Sequence, residues 1–309
     1  MYNENIKKEY IEFKENNTSV PEGFLERMFE KTSEFEEKLN KDLCNFSFYD
    51  IQDMLKTFNI SSFESLRMMN SHMSLYTQWS IGRNMVLDSQ NHFLEVKDEI
   101  ILDSVNSNKV NESIITRETL LTWIQALDNP SDKFLFLALF EGIEGKEFCE
   151  LANLRMSDFK GNKVTLCTKR EIAVSDKLVV FALESNSTYK YTAVDGKGKK
   201  VIALRQEDFI IKSYPNAADE LEVSDFAKGR KIYRKFRRAR NSIEREWIKP
   251  SNLIDSGIIH LIKEYAKKEG ISPTEVVYKH PEVITQQYDY NISKYRTTFL
   301  KKYKQFLEN

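Results

Sequence analysis

From about residue 5 to residue 90 the apolar residues recur at every third and fourth position, as in "FLERMFEKTSEFEEKL" (Phe24, Met28, Phe35, Leu39), "FYDIQDMLKTF" and "SFESLRMMNSHMSLYTQWSI". That period lays them along one face of an α-helix and predicts a bundle of four or five helices. Ser47 and Ser62 stand immediately before two of these stretches. A hydroxyl there accepts an otherwise unpaired backbone N–H, so both are expected to cap helix N-termini. The polar, aperiodic "DSVNSNKVNES" follows, then "ITRETLLTWIQAL" with Thr116 as a further cap. A domain boundary is expected at about 104–114.

The second unit opens with "SDKFLFLALF", apolar all round and therefore a buried helix, and continues with "KEFCELANLRMSDF". Beyond "KGN" the period changes to two in "KVTLC", "REIAV", "TYKYTAV", "KKVIAL" and "DFIIKSY", with turns such as "DGKGK" between them. Period two is the signature of strands, and a small antiparallel sheet from about 163 to 212 is predicted among the helices. Helical spacing resumes at Lys228 and runs to "ISKYRTTFLKKYKQFL", where Ile292, Tyr295, Phe299, Tyr303 and Phe306 share a face. The fold class is thus mainly α with a small antiparallel sheet (α+β).

Composition adds compartment and charge. The 309 residues are 41% hydrophobic without a run long enough to cross a bilayer, and "MYNENIKKEYIEFKENN" lacks the apolar core of a secretory signal. A cytoplasmic protein with no membrane partner is expected. Cys44, Cys149 and Cys167 are far apart and never in a C-x-x-C pair, so neither disulfides nor a metal site is expected, and no motif calls for a cofactor. Net charge is only −1, but it is sorted along the chain. Residues 1–50 hold twelve acids against seven bases, whereas "KGRKIYRKFRRAR", Lys228 to Arg240, holds eight bases and no acid. Such sorting is expected where one face meets a polyanion.

The order of elements resembles that of the tyrosine recombinase (phage integrase) superfamily. "ITRETLLTWIQAL" looks like the opening helix of that family's catalytic domain, and Gly145, Glu150, Leu151, Leu154 and Asp158 match its G-x-R-x-x-E-L-x-x-L-x-x-x-D stretch. "NKVTLCTKREIAVSDKL" is similar to the hairpin carrying the family's lysine, and "HPEVITQQY" to the segment ending in its nucleophile. The resemblance implies a helical, SAM-like core-binding domain over 1–104 and a catalytic-like domain over 114–309. The last helix resembles one that packs in cis or docks into a neighbour, and the sequence leaves that choice open.

In that family two arginines grip the scissile phosphate while a tyrosine attacks it. Arginine suits the task because its always-charged planar fork makes paired hydrogen bonds to an oxyanion whose charge grows in the transition state. The first arginine position falls on Glu147, whose carboxylate would repel phosphate. Lys146 is one residue away, but one helical step rotates a side chain by about 100°, so it is no substitute. The second stretch matches "SGIIHLIKEYAKKEG", with Ser256 for the histidine, Ile259 for the arginine and His260 remaining. No arginine occurs between Arg117 and Arg155 or between Arg245 and Arg296, so no shift of register supplies one. Where arginine stabilises a transferring phosphoryl group its loss costs roughly 10³–10⁵ in rate. Lys169, His280 and Tyr288 match family positions and are expected to be remnants.

The expectation is therefore binding without cleavage. Ile232, Phe236, Ala239, Ile243 and Trp247 form a stripe, while Lys231, Arg234, Lys235, Arg237, Arg238 and Arg240, with Lys228 and Arg230, are expected on the remaining surface against double-stranded DNA. Arg67, Asn70, His72 and Arg83 are the weaker candidates on the N-terminal bundle. Within the superfamily the chain is similar to the SPbeta-type phage master repressors of lysogeny. That resemblance implies a sequence-specific DNA-binding transcriptional regulator without enzymatic activity, whose expected partner is duplex DNA, with a second copy of itself or another phage protein as further candidates. The alternatives are a divergent active recombinase and an interaction protein that regulates one.

Overall fold

The computed structural model describes residues 1–17, 20–21, 23–60, 62–106, 112–195, 198–215 and 225–308. The chain divides into two compact units, Met1–Glu112 and Ser113–Asn309. The linker expected at 104–114 lies partly, and the Gly196–Lys197 turn wholly, outside the described residues.

The first unit contains α1 (Glu4–Asn17), α2 (Phe24–Leu39), α3 (Phe48–Thr57), α4 (Phe63–Ile81) and α5 (Asp98–Asp103), and no strand among the described residues. Ser47 and Asp50 form a reciprocal capping box at the start of α3, and the Ser62 hydroxyl accepts from the Ser65 N–H at the start of α4. Tyr10, Phe29 and Tyr76 meet edge to face at the centre, with centroids 5.0–6.1 Å apart. The buried side of α2 differs from the predicted one. It consists of Leu25, Met28, Phe29, Thr32, Ser33 and Glu36, with Phe24, Phe35 and Leu39 only half-covered. Glu36 can lie inside because the Lys7 ammonium, the Thr32 hydroxyl and the Leu43 N–H all donate to it.

The second unit begins with α6 (Arg117–Gln125), capped by Thr116, and α7 (Pro130–Phe140). Phe134 to Phe140 are all essentially inaccessible, as expected of a helix without a polar face. After α8 (Cys149–Asn153) come β1 (Phe159–Lys160), β2 (Lys163–Thr165) and β3 (Glu171–Ala173), an antiparallel sheet in which Val164 and Ile172 pair and point inward. The sequence reading missed α9 (Asp176–Ser187), which Ser175 caps and which buries Leu178, Phe181, Ala182 and Ser185. A separate antiparallel hairpin follows, β4 (Lys190–Asp195) with β5 (Gly198–Ala203). The strand expected in "DFIIKSY" is reduced to an isolated bridge between Arg155 and Phe209. Its two adjacent isoleucines, Ile210 and Ile211, are both buried, which an alternating strand at a sheet surface would not allow.

The remaining helices are α10 (Asp225–Ser242), α11 (Pro250–Glu269), α12 (Pro273–Lys279), α13 (Pro281–Tyr288) and α14 (Ile292–Glu308). In α14 the buried residues are Ile292, Phe299, Tyr303 and Leu307, Leu307 standing where Phe306 was expected, and the turn at Tyr295 departs from helical geometry. The terminal helix packs in cis, with the Tyr303 hydroxyl donating to the Asp255 carboxylate of α11. No helix among the described residues is long and apolar enough to cross a membrane.

Candidate nucleic-acid interface and the recombinase positions

Three of the positions that match recombinase chemistry, Tyr288, Ser256 and Ile259, are engaged in packing. Tyr288 ends α13, and its hydroxyl donates to the Phe140 carbonyl at the end of α7 over 2.7 Å. Gly257 of α11 lies against both groups, and a Cβ there would collide with the Phe140 carbonyl and the phenol. Burial pushes the Tyr288 phenol well above the usual tyrosine range, and the neighbouring Glu141 charge pushes the same way. A nucleophile needs the opposite shift. Ser256 accepts from the Ile115 N–H at 2.9 Å and donates to the Asn252 carbonyl, and Ile259 is in the core.

Glu147 is exposed at a left-handed turn with φ 55°, and its carbonyl abuts Gly229 of α10, where no side chain would fit. Lys169, also at positive φ, is exposed at the tip of the β2–β3 turn. His280 caps the junction of α12 and α13, half-exposed beside the Tyr265 ring at 5.4 Å. Among the family positions Tyr288 and the retained His260 line a cleft of about 490 Å³ together with Arg117, Glu141, Ser175 and Gln287. Burial holds the His260 imidazole below the usual histidine range. Among the described residues no group of three or more His, Cys, Asp or Glu could hold a metal.

Arg170, a residue sequence reasoning overlooked, is a second guanidinium in this region beside Arg117, which pairs with Glu141 at 3.5 Å. Arg170 forms a two-pronged ion pair with buried Glu150 (3.1 and 2.7 Å) and donates to the carbonyls of Gly142, Gln286 and Gln287. Five acceptor atoms leave the fork committed to holding the β2–β3 turn against α13. Its position beside Lys169 in the hairpin motif was the available signal.

On α10 the buried stripe is Ile232, Phe236 and Ala239, with Phe236 stacked on Phe136 at 4.8 Å. The helix ends at Ser242, so Ile243 is only partly covered and Trp247 is 45% exposed, not part of the stripe as expected. Arg230, Arg234, Arg237 and Arg238 are exposed. Lys228 and Lys231 are half-buried, and Lys228 donates to the Asn153 side chain at 2.9 Å. Arg240 turns back to the Ile248 carbonyl at 2.7 Å. Lys235, expected on the surface, is only 5% exposed. It follows Arg234 by one step, which turns it from the solvent face toward the rings of Tyr191 and Tyr214, and burial lowers its pKa to about 8.

The first unit offers less than expected. Asn70 is buried and donates to the Phe93 carbonyl at 3.2 Å, so it is a packing residue. His72 lies against the Phe24 ring, and burial lowers its pKa. Arg67 is exposed beside Asp98, and Arg83 is exposed over the Trp79 ring and paired with Glu9. Exposed pairs of this kind are worth little and open readily to a polyanion.

Comparison with known proteins agrees with this architecture. Residues 114–308 match the family described as "MrpR, C-terminal catalytic domain", and residues 1–82 match "MrpR, N-terminal core-binding domain". The "SPbeta prophage-derived uncharacterized protein YopR" of Bacillus subtilis (strain 168) is 25% identical over 319 residues, covering 97% of this chain and 92% of that one. Among solved structures, a lambda integrase dimer bound to a COC′ core site aligns with 95% of this chain and 76% of its own, at 13% identity and a TM-score of 0.46. A lambda integrase tetramer bound to a Holliday junction aligns with 92% and 75%, at 12% identity and a TM-score of 0.42.

Proposed function

We propose that this chain, which belongs to the MrpR family and has that family's core-binding and recombinase-like catalytic domains, binds duplex DNA sequence-specifically without cutting it, as a transcriptional regulator of a prophage-type element. The observation that carries the reading is α10. It turns four exposed arginines outward from a stripe that anchors it in the core, with no carboxylate between Lys228 and Arg240. Guanidinium forks suit both phosphates and the O6/N7 edge of guanine, so one such face supplies general affinity and base discrimination.

Absence of cleavage is supported by the same region that would have to perform it. Glu147 and Ile259 occupy the arginine positions, Arg170 is spent on Glu150 and three carbonyls, and the Tyr288 hydroxyl is held by a carbonyl in a part-buried contact. A protein that occupies DNA and leaves it intact has the property a repressor of lytic genes needs. The relative's prophage origin supports the mobile-element setting.

The test is footprinting on DNA from the element that encodes the chain, in parallel with suicide duplexes that trap a 3′-phosphotyrosyl adduct. A discrete protected sequence, no adduct, and full protection by Tyr288→Phe are expected. An adduct that disappears in Tyr288→Phe would establish a recombinase. A folded protein that protects no sequence would favour the interaction-protein alternative.

A further inference from the structure

Between α10 and the segment from Arg205 to Tyr214 lies a cavity of about 380 Å³ unrelated to the tyrosine cleft. Ala152, Phe209, Ile211 and Ile232 give it apolar walls. Seven of its fourteen lining residues are lysine or arginine, and Glu207 is the one carboxylate. Some of those cations are already engaged: Lys212 donates to the carbonyls of Ser185 and Asn186, and Lys228 to Asn153. Among the described residues Arg234, Lys235 and Arg238 form no ion pair with a carboxylate.

One polar atom of these residues is buried without a hydrogen-bond partner among the described residues, the Lys235 ammonium, while the Tyr214 hydroxyl lies within reach of Tyr191 and Arg238. The ammonium rests against ring faces only, 4.8 Å from the centre of Tyr191 and 5.8 Å from that of Tyr214. Asp132 acts on it through the core without a hydrogen bond. Buried donors are almost always satisfied, and one that is a cation in a cationic cavity is satisfied best by an anion. An inorganic ion would leave the apolar walls unused, whereas cavities of this size and mixed lining fit organic ligands.

We infer that this cavity binds a small organic phosphate with an apolar or aromatic body, of nucleoside monophosphate type, and that its occupant draws Arg234 and Arg238 away from DNA. The second half rests on the DNA-binding reading above, since it makes the cavity an effector site on the DNA-contacting helix. The first half does not, because the cavity and its orphaned ammonium are features of the unit alone.

The test uses the full-length protein with AMP and inorganic phosphate as probes, first by calorimetry in the absence of DNA. AMP is expected to bind more tightly than inorganic phosphate. Losing one hydrogen bond to a charged group costs about 1.5–3 kcal/mol, so Lys235→Met should weaken AMP about ten- to a hundredfold. Ala152→Leu, which fills the cavity without touching a charge, should weaken it as well. Thermal unfolding establishes that both variants are folded. No binding of AMP by the wild type, or binding unchanged in both folded variants, would overturn the site. Phosphate binding as tightly as AMP would overturn the organic class. In the presence of duplex, AMP should weaken DNA binding by the wild type and not by Lys235→Met. AMP binding without that competition would overturn the effector role, and loss of DNA binding altogether would leave the calorimetric result standing.

Discussion

Replacing Arg234, Arg237 and Arg238 together by alanine should flatten the salt dependence of DNA binding by a calculable amount. The three stand at i, i+3 and i+4 on one exposed side of α10, opposite Ile232, Phe236 and Ala239. Each phosphate neutralised releases about 0.9 of a counterion, so three contacts contribute roughly −2.7 to the slope of log K against log salt. Between 50 and 200 mM salt that difference amounts to about a fortyfold change in relative affinity. Counting every base of the helix would overstate the effect, because Lys235 is buried and Arg240 is bound to the Ile248 carbonyl. Arg240→Ala is therefore the internal control, expected to cost stability and leave the slope unchanged. Fluorescence anisotropy of a labelled operator duplex across a salt series gives the slopes, and thermal unfolding shows that the stripe still holds the helix. A folded triple variant with the wild-type slope would refute the assignment of α10 to the DNA face.

Gly257→Ala should destabilise the second unit by about 3 kcal/mol in urea unfolding, the reverse of the usual gain from glycine to alanine in a helix, because its Cβ would meet the Phe140 carbonyl and the Tyr288 hydroxyl. Lys7→Met should cost the first unit about 3–5 kcal/mol by leaving the buried Glu36 carboxylate unpaired, and adding Glu36→Leu should recover most of it. Stability should also depend on pH through Lys235, whose folded pKa of about 8 lies below its unfolded value. A depressed lysine means that the unfolded chain binds the extra proton between the two values, so this contribution is present above the unfolded pKa and lost as pH falls toward 8. The wild type should gain stability relative to Lys235→Met by up to about 1.4 kcal/mol per pH unit between pH 8 and 10, and parallel curves would refute the burial of that ammonium.

Local signals were legible in the sequence where they depend on neighbours in the chain. Ser47, Ser62, Thr116 and the all-apolar stretch of α7 each act within one turn of helix, and the structure shows the caps and the buried helix they predict. Burial of polar residues was not legible, because it depends on partners far along the chain. Glu36 is inside because of Lys7, 29 residues away, and Asn70 because of the Phe93 carbonyl, 23 residues away. The same reason hid the burial of Lys235, which follows the charge pattern of α10 and departs from it only through Tyr191 and Tyr214. At the recombinase positions the missing arginines followed from counting residues, a test that no register error can defeat. What counting could not reach was the use made of the positions that remain.

On the proposed reading of binding without cleavage, those uses keep the two activities on different surfaces of the second unit. The arginine positions fall on the turn at Glu147 and on the inner face of α11, neither of which supports the outward face of α10. At the turn, the backbone carbonyl of Glu147 receives Gly229, so this segment helps to seat the basic helix whatever its side chain does. On α11, Ile259 fills the core, Ser256 fixes the Ile115 backbone, and Gly257 admits the Tyr288 hydroxyl to Phe140. A guanidinium at position 259 would now be a buried charge in apolar surroundings, costing several kcal/mol after relaxation. Restoring the family's arginines would therefore damage the packing before it rebuilt a phosphate clamp. On the proposed reading, the positions that match the catalytic residues serve contacts within the second unit, and of these the Glu147 carbonyl is the one that seats the basic helix.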